Sequence, residues 1–214
     1  MTEHEADERR TFEPRPIAGE AALRRKVAAQ LKALHALKSA ALRMFDAMLS
    51  AVRAERAASS LAEVEDLLGR MLDAFGGHRE ETAAHERGLR RRLSELGERP
   101  SAPREIGMGL AALARGNLGR IGGQNQGANA RDAFVFEHLE IASYELLERL
   151  AERAGDLATA ELARSARVED AAMADKIARN WDNVLSLMLA SEQIPTNRPD
   201  QSPVAETPPA PASS

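Results

Sequence analysis

Four stretches of the chain carry side chains suited to a shared interior at alternating steps of four and three. That is the rhythm of helices packed side by side along one seam. Held over several turns in each stretch, it leaves little room for anything but an all-helical fold. The stretch from Arg131 to Gly155 shows the constraint most sharply. Its seam reads Ala133, Glu137, Glu140, Tyr144, Leu147, Ala151 and Ala154. Carboxylates in such a seam are expensive to bury unless something positive meets them.

The first stretch, from about Glu20 to Arg56, has the seam Leu31, His35, Lys38, Leu42, Phe45, Leu49 and Val52, apolar except for His35 and Lys38. Ser59-Ser60 interrupts the pattern, and Ser60-Leu-Ala-Glu63 reads as a capping box for a second helix. That helix runs to about Leu96 with Val64, Leu68, Met71, Phe75, His78, Thr82 or Glu81, His85, Leu89 and Leu96 inward. Gly76-Gly77 in its middle suggests a kink or a close approach. Gly97 and Pro100 are stop signals. Residues 98–128 are crowded with glycine and read as a long connection. No Gly-Lys-Ser/Thr follows these glycines, so they do not form a phosphate loop. Asn129 can cap the third helix, and Gly155-Asp156 closes it and caps the fourth. The fourth is expected to run unbroken from about Leu157 to Leu189. Its seam includes Leu162, Ala166, Glu169, Ala172 or Met173, Lys176, Asn180, Val184 and Leu187, with Trp181 packed beside Asn180.

Short turns join the first helix to the second and the third to the fourth, so each pair is antiparallel. The expected fold is therefore an all-α, ferritin-like antiparallel four-helix bundle with one long Gly-rich crossover connection. The bundle is expected over residues 19–190. Residues 1–18 form a flexible arm, and 191–214 a proline-rich disordered tail.

Composition agrees. Aromatics make up only 3% of the 214 residues, and the apolar content is dominated by the helix formers Ala, Leu and Met. The net charge of −4 gives no global field to draw in nucleic acid or a membrane surface. The runs Arg24-Arg25-Lys26 and Arg87 to Arg92 alternate with acids and lack stacking aromatics, so they read as solvated helix faces. No cysteine is present, which excludes disulfides, thiolate metal sites and a cysteine nucleophile. The charged N-terminus has no apolar segment of a secretory signal, and no window suits a transmembrane helix, so the cytoplasm is expected.

The polar seam residues of all four helices fall near mid-length, which points to one shared layer. In ferritin-like bundles a di-metal site takes a Glu from each of two helices and a Glu-x-x-His pair from each of the others. Candidate ligands here are Glu81, His85, Glu137, Glu140 and Glu169, a carboxylate and imidazole set suited to iron or manganese. The spacing is irregular, because Glu81 to His85 is a step of four. Lys38 stands where the first helix should offer a carboxylate. The alternative is a non-enzymatic structural or interaction protein whose layer is an ion-pair network closed by Lys38. His78 alone reads as a hydrogen-bonded interior histidine, His138 as a surface or subunit-contact residue, and Tyr144 as a core residue. Nothing suggests a nucleotide cofactor or a hydrolase.

Three motifs resemble the ferritin-like bacterial family of unknown function typified by YciE and YciF. They are Phe75-x-x-His78-x-Glu80-Glu81-Thr82 followed by Arg87 and Leu89; Val135-x-Glu137-His138-x-Glu140-Ile141-Ala142-x-Tyr144; and Glu169-Asp170 with Lys176-Ile177. The resemblance covers about residues 30–190. It implies a four-helix bundle, often a homodimer, with carboxylates and histidine lining a di-metal centre and a link to bacterial stress responses. The chain departs from the family at Ala36-Leu37-Lys38-Ser39, where the first-helix carboxylate is lost.

Overall fold

A computed structural model describes residues 19–100 and 125–194. They form five helices: α1 (Glu20–Ala58), α2 (Ala62–Glu95), α3 (Gln126–Arg153), α4 (Leu157–Ala178) and α5 (Trp181–Ser191). No strand occurs among the described residues, so the all-α helical bundle is the observed architecture. The expected N-terminal arm and most of both the Gly-rich connection and the proline-rich tail lie outside the described residues; Ser191, expected to open the tail, ends α5.

The pairing follows the short turns. Helix α1 packs along α2, and α3 along α4. Helix α1 also lies against α3, where Gln30 donates to the carbonyl of Ser143 and Glu55 accepts from Gln126. Low numbers on α1 therefore face high numbers on α3, an antiparallel pair. Lys32, near the start of α1, pairs with Glu98 just past α2, whereas Glu55 meets the first residue of α3. The end of α2 and the start of α3 thus lie about 35 Å apart along α1, at a rise of 1.5 Å per residue. The first described part therefore ends, and the second begins, at opposite ends of the bundle.

Local chemistry sets the helix ends. Gly97 and Gly155 take the left-handed backbone, with φ of 73° and 70°. In each turn a following N–H returns to a carbonyl of the last helical turn, Glu98 to Leu93 and Asp156 to Ala151. Asp156 then caps α4 by accepting from the Thr159 N–H.

Four local expectations need correction. Helix α3 starts earlier, capped by Asn125 accepting from the Ala128 N–H, while Asn129 is buried inside the helix. The capping box is absent: the N-cap of α2 is Leu61, and Ser59 closes a local turn with it instead. Helix α2 runs unbroken through Gly76-Gly77, and a Cβ at either would meet nothing within 4 Å. The fourth helix stops at Ala178. Asn180 turns its side-chain amide back to the Lys176 carbonyl and becomes the N-cap of α5. Trp181 then packs edge-on against Phe134 of α3, ring centroids 5.8 Å apart.

The core runs the length of α1, where Leu31, Leu34, Met44, Phe45, Met48 and Val52 are buried against Leu68, Leu89, Leu93, Ala133 and Leu147. No helix among the described residues is long and apolar enough to cross a membrane.

Candidate functional site

Midway along this core the apolar filling gives way to a polar layer. Helix α1 contributes Lys38, α2 His78, Thr82 and His85, α3 Glu137, Glu140 and Tyr144, and α4 Asp170. Lys38, Thr82, Glu137, Glu140, Tyr144 and Asp170 are fully buried. Each reaches the interior because it occupies an inward step of its helix.

The Lys38 ammonium is the hub. Its Nζ donates to Glu140 Oε2 at 2.9 Å and to both oxygens of Asp170 at 2.8 and 2.9 Å. It also sits 5.4 Å from the centre of the Tyr144 ring, a cation–π position. Burial alone would discharge this lysine, but Glu140, Tyr144, Asp170 and Glu137 together lift its pKa above the ordinary lysine value. It stays charged.

The acids answer differently. Burial pushes Glu140 up to about 8 despite Lys38 beside it. Glu137 is likewise raised by burial, with His78 pulling the other way. The ammonium's rise argues for a firm ion pair, and the rise of Glu140 for a costly carboxylate. Charge reconciles the two: one ammonium faces three buried carboxylates, so the layer is short of positive charge.

The histidines are held from outside. His78 Nδ1 donates to Glu81 Oε2 at 2.8 Å, which leaves Nε2 turned inward, 3.0 Å from Glu137 Oε1. With Nδ1 holding the ring proton, Nε2 and the Glu137 carboxylate face each other as two acceptors, and both Glu137 oxygens lack a hydrogen-bond partner among the described residues. Burial lowers the His78 pKa, but Glu137 and Glu81 raise it more, and the net shift is upward. His85 Nε2 bonds Glu169 Oε2 at 3.0 Å, leaving Nδ1 3.6 Å from Asp170 Oδ1. Burial and the nearby Lys38 hold its pKa below the usual histidine value. Glu140 Oε1, Thr82 Oγ1 and the Tyr144 hydroxyl are also buried without a hydrogen-bond partner among the described residues.

Of the ligands anticipated from sequence, Glu137, Glu140 and His85 come together in the layer. Glu81 and Glu169 keep side chains 51% and 45% exposed and reach it only through the imidazoles they hold. The structure adds two residues. His78, Glu137 and Asp170 each place one ligand atom within 4.8 Å of the others, a buried group that could hold a metal ion. Asp170 is adjacent in sequence to Glu169, and a strict seven-residue seam passes through Glu169. The buried residues of α4, Thr159, Ala163, Ala166, Asp170, Met173 and Ile177, keep the four-three rhythm in a different phase, which makes Asp170 the inward acid.

Fold and layer define an all-helical bundle with a charged, partly unsatisfied core. The chain belongs to the family of the domain of unknown function DUF892, whose model matches residues 23–189. Among solved structures, a protein from Xanthomonas campestris pv. campestris is 21% identical, with a TM-score of 0.59 over 80% of this chain and 99% of that one. YcfI from Rhodopseudomonas palustris, provisionally described as a structural protein, is 20% identical with a TM-score of 0.53, covering 78% and 98%. At these identities the likeness concerns the fold. No curated protein matches the chain.

Proposed function

We propose that this protein is a ferritin-like metal-binding bundle holding a single divalent ion, iron or manganese, with the Lys38 ammonium in place of a second. The observation that carries the reading is the inward-facing pair of His78 Nε2 and Glu137, 3.0 Å apart without a hydrogen bond. A metal-ligating histidine usually gives its other ring N–H to a carboxylate, which fixes the tautomer. Glu81 holds His78 in that way. His78, Glu137 and Asp170 would hold the ion, and their nitrogen and oxygen donors suit iron or manganese. A divalent ion would also cancel the two negative charges that Lys38 leaves over. Bound iron or manganese would supply redox chemistry in the stress-response setting that the resemblance implies.

The Lys38 contacts favour a second reading, in which the layer is closed by protons alone and the protein is a structural or interaction module. Glu140 near 8 and the raised His78 are the groups that would carry those protons.

Purification from iron- or manganese-supplemented medium followed by elemental analysis separates the two. The metal reading expects one ion per chain, lost in His78→Ala and raising the melting temperature when added back to chelated protein. A chain without metal that also shows no thermal shift with iron, manganese or zinc supports the proton-closed module.

A further inference from the structure

The group of His78, Glu137 and Asp170 is sealed from water: both acids are fully buried and the histidine nearly so. An ion held there must cross the wall of the bundle. Beside Lys38, α1 closes that wall with Leu37 and Ala40, and α3 closes it with Phe136, all buried. The face between α2 and α4 is different. Small residues stand along it on α2, at Gly77, Ala84 and Gly88. A Cβ at Gly77 would meet nothing within 4 Å, and one at Gly88 only a methyl of Leu162 on α4.

This face also carries the half-exposed Glu81 and Glu169, each bonded directly to a histidine of the layer. Each carboxylate holds its imidazole by one nitrogen and leaves the other turned to a buried acid. Glu81, His78 and Glu137 form one file from solvent to interior, and Glu169, His85 and Asp170 form a second. Every step of both files is a ligand type for a divalent first-row ion.

The two files differ at the inner end. His78 belongs to the group that can hold the ion, and its Nε2 faces Glu137 at 3.0 Å. His85 lies outside that group. Its Nδ1 is 3.6 Å from Asp170 Oδ1 and has no hydrogen-bond partner among the described residues, on a side chain only 9% exposed. A buried polar nitrogen without a partner is uncommon and calls for a reason. An ion in transit supplies one, because Nδ1 points at an acid of the resident group while Glu169 reaches from the same ring into water.

Resting on the metal reading above, we propose that the α2–α4 face is the portal through which a divalent ion enters and leaves, with Glu169 and His85 as transit ligands outside the resident set. Glu81 serves differently, since it fixes the tautomer of a resident ligand. Two glutamates in like positions therefore have separable roles, one in rate and one in affinity.

Stopped-flow mixing of the chelated full chain with cobalt(II), followed by its visible absorption, gives the loading rate. A chase with excess EDTA gives the release rate. The native chain should take up one ion. Glu169→Gln keeps the size of the side chain and should slow loading and release alike, each by about tenfold, with the dissociation constant unchanged. Glu81→Gln should instead weaken affinity by about 10–100-fold, as loss of a ligand's outer partner does. Glu80→Gln, beside Glu81 but bonded to Arg79, should change neither quantity and controls for surface charge. A merely structural Glu169 would shift the unfolding curve and leave the two rates as they are. Native rates in Glu169→Gln overturn the portal, and so does a loss of affinity matching that of Glu81→Gln, which would make His85 a resident ligand. A native chain that takes up no cobalt overturns the metal reading and the portal with it, whereas normal loading with native rates in Glu169→Gln overturns the portal alone.

Discussion

Replacing Lys38 with methionine keeps the length and most of the volume of the side chain and removes its charge and its hydrogen bonds to Glu140 and Asp170. In the native chain that charge is shared by Glu140 and Asp170, all three fully buried. Removing one partner of a buried ion pair leaves the other uncompensated and costs about 3–5 kcal/mol. Domains of this size have stabilities of about 5–15 kcal/mol, so the loss is a large share of the whole. It corresponds to a fall in melting temperature of about 6–20 °C. The assay is urea or thermal unfolding followed by circular dichroism, in chelator, at pH 8.5 and pH 6. Because Glu140 already titrates near 8, it can take up a proton at the lower pH and relieve part of the loss. The deficit should therefore be larger at pH 8.5. Adding Glu140→Gln or Asp170→Asn to Lys38→Met should restore some stability, since the second change removes the stranded charge. A Lys38→Met chain that unfolds with the native curve at pH 8.5 would refute the buried-network reasoning.

Three further outcomes follow from the same geometry. Lys38→Glu replaces the ammonium by a fourth carboxylate, so elemental analysis of metal-loaded protein should rise from one ion per chain towards two. His35 lies 2.8 Å from Glu86, and burial depresses its pKa, with Glu86 opposing and Arg90 assisting. A depressed histidine stabilises the fold above the unfolded pKa of about 6.5, and that contribution is lost as pH falls through the folded value. His35→Gln should make the decline in unfolding free energy between pH 6.5 and 5 shallower, read from urea titrations across that range. Gly76→Ala and Gly77→Ala add a Cβ into open space inside a helix, and each should raise stability by about 1 kcal/mol in the same assay.

The seams made the architecture legible because burial selects side chains by angular position, and three helices keep one phase for many turns. Boundaries were less legible where two residues compete for one role. Asn125 and Asn129 could both cap α3, and the one that takes the cap frees the other to be buried. The break at Asn180 was hidden because an amide that bonds back to Lys176 looks, in sequence, like any polar residue on a helix. In the site, Glu137 and Glu140 were readable as buried acids, and Lys38 as the residue that closes on them. Asp170 and His78 were harder. Neighbouring acids at 169 and 170 differ only by 100° around the helix, and the inward role of His78 depends on Glu81 holding its far nitrogen. Asp170 lies in phase with Thr159, Ala163 and Ala166, small side chains that carry too little apolar contrast to mark that face as the inward one.

The layer is also divided by sign between the two halves of the chain. The α1–α2 hairpin carries Lys38, His78 and His85, while the α3–α4 hairpin carries Glu137, Glu140 and Asp170. Each hairpin is local in sequence and can form early, yet each alone presents a row of groups without partners. Docking then becomes an act of self-recognition, with basic and acidic strips as matching halves. Apolar contacts alone would not fix the relative height of the two hairpins, since leucine against leucine tolerates a slip. A slip of one turn, about 5.4 Å, would strand the ammonium and all three acids in hydrocarbon. The polar layer is in this sense an index mark that rejects misregistered docking, and the docking step should slow with added salt and with acid while formation of the separate hairpins does not.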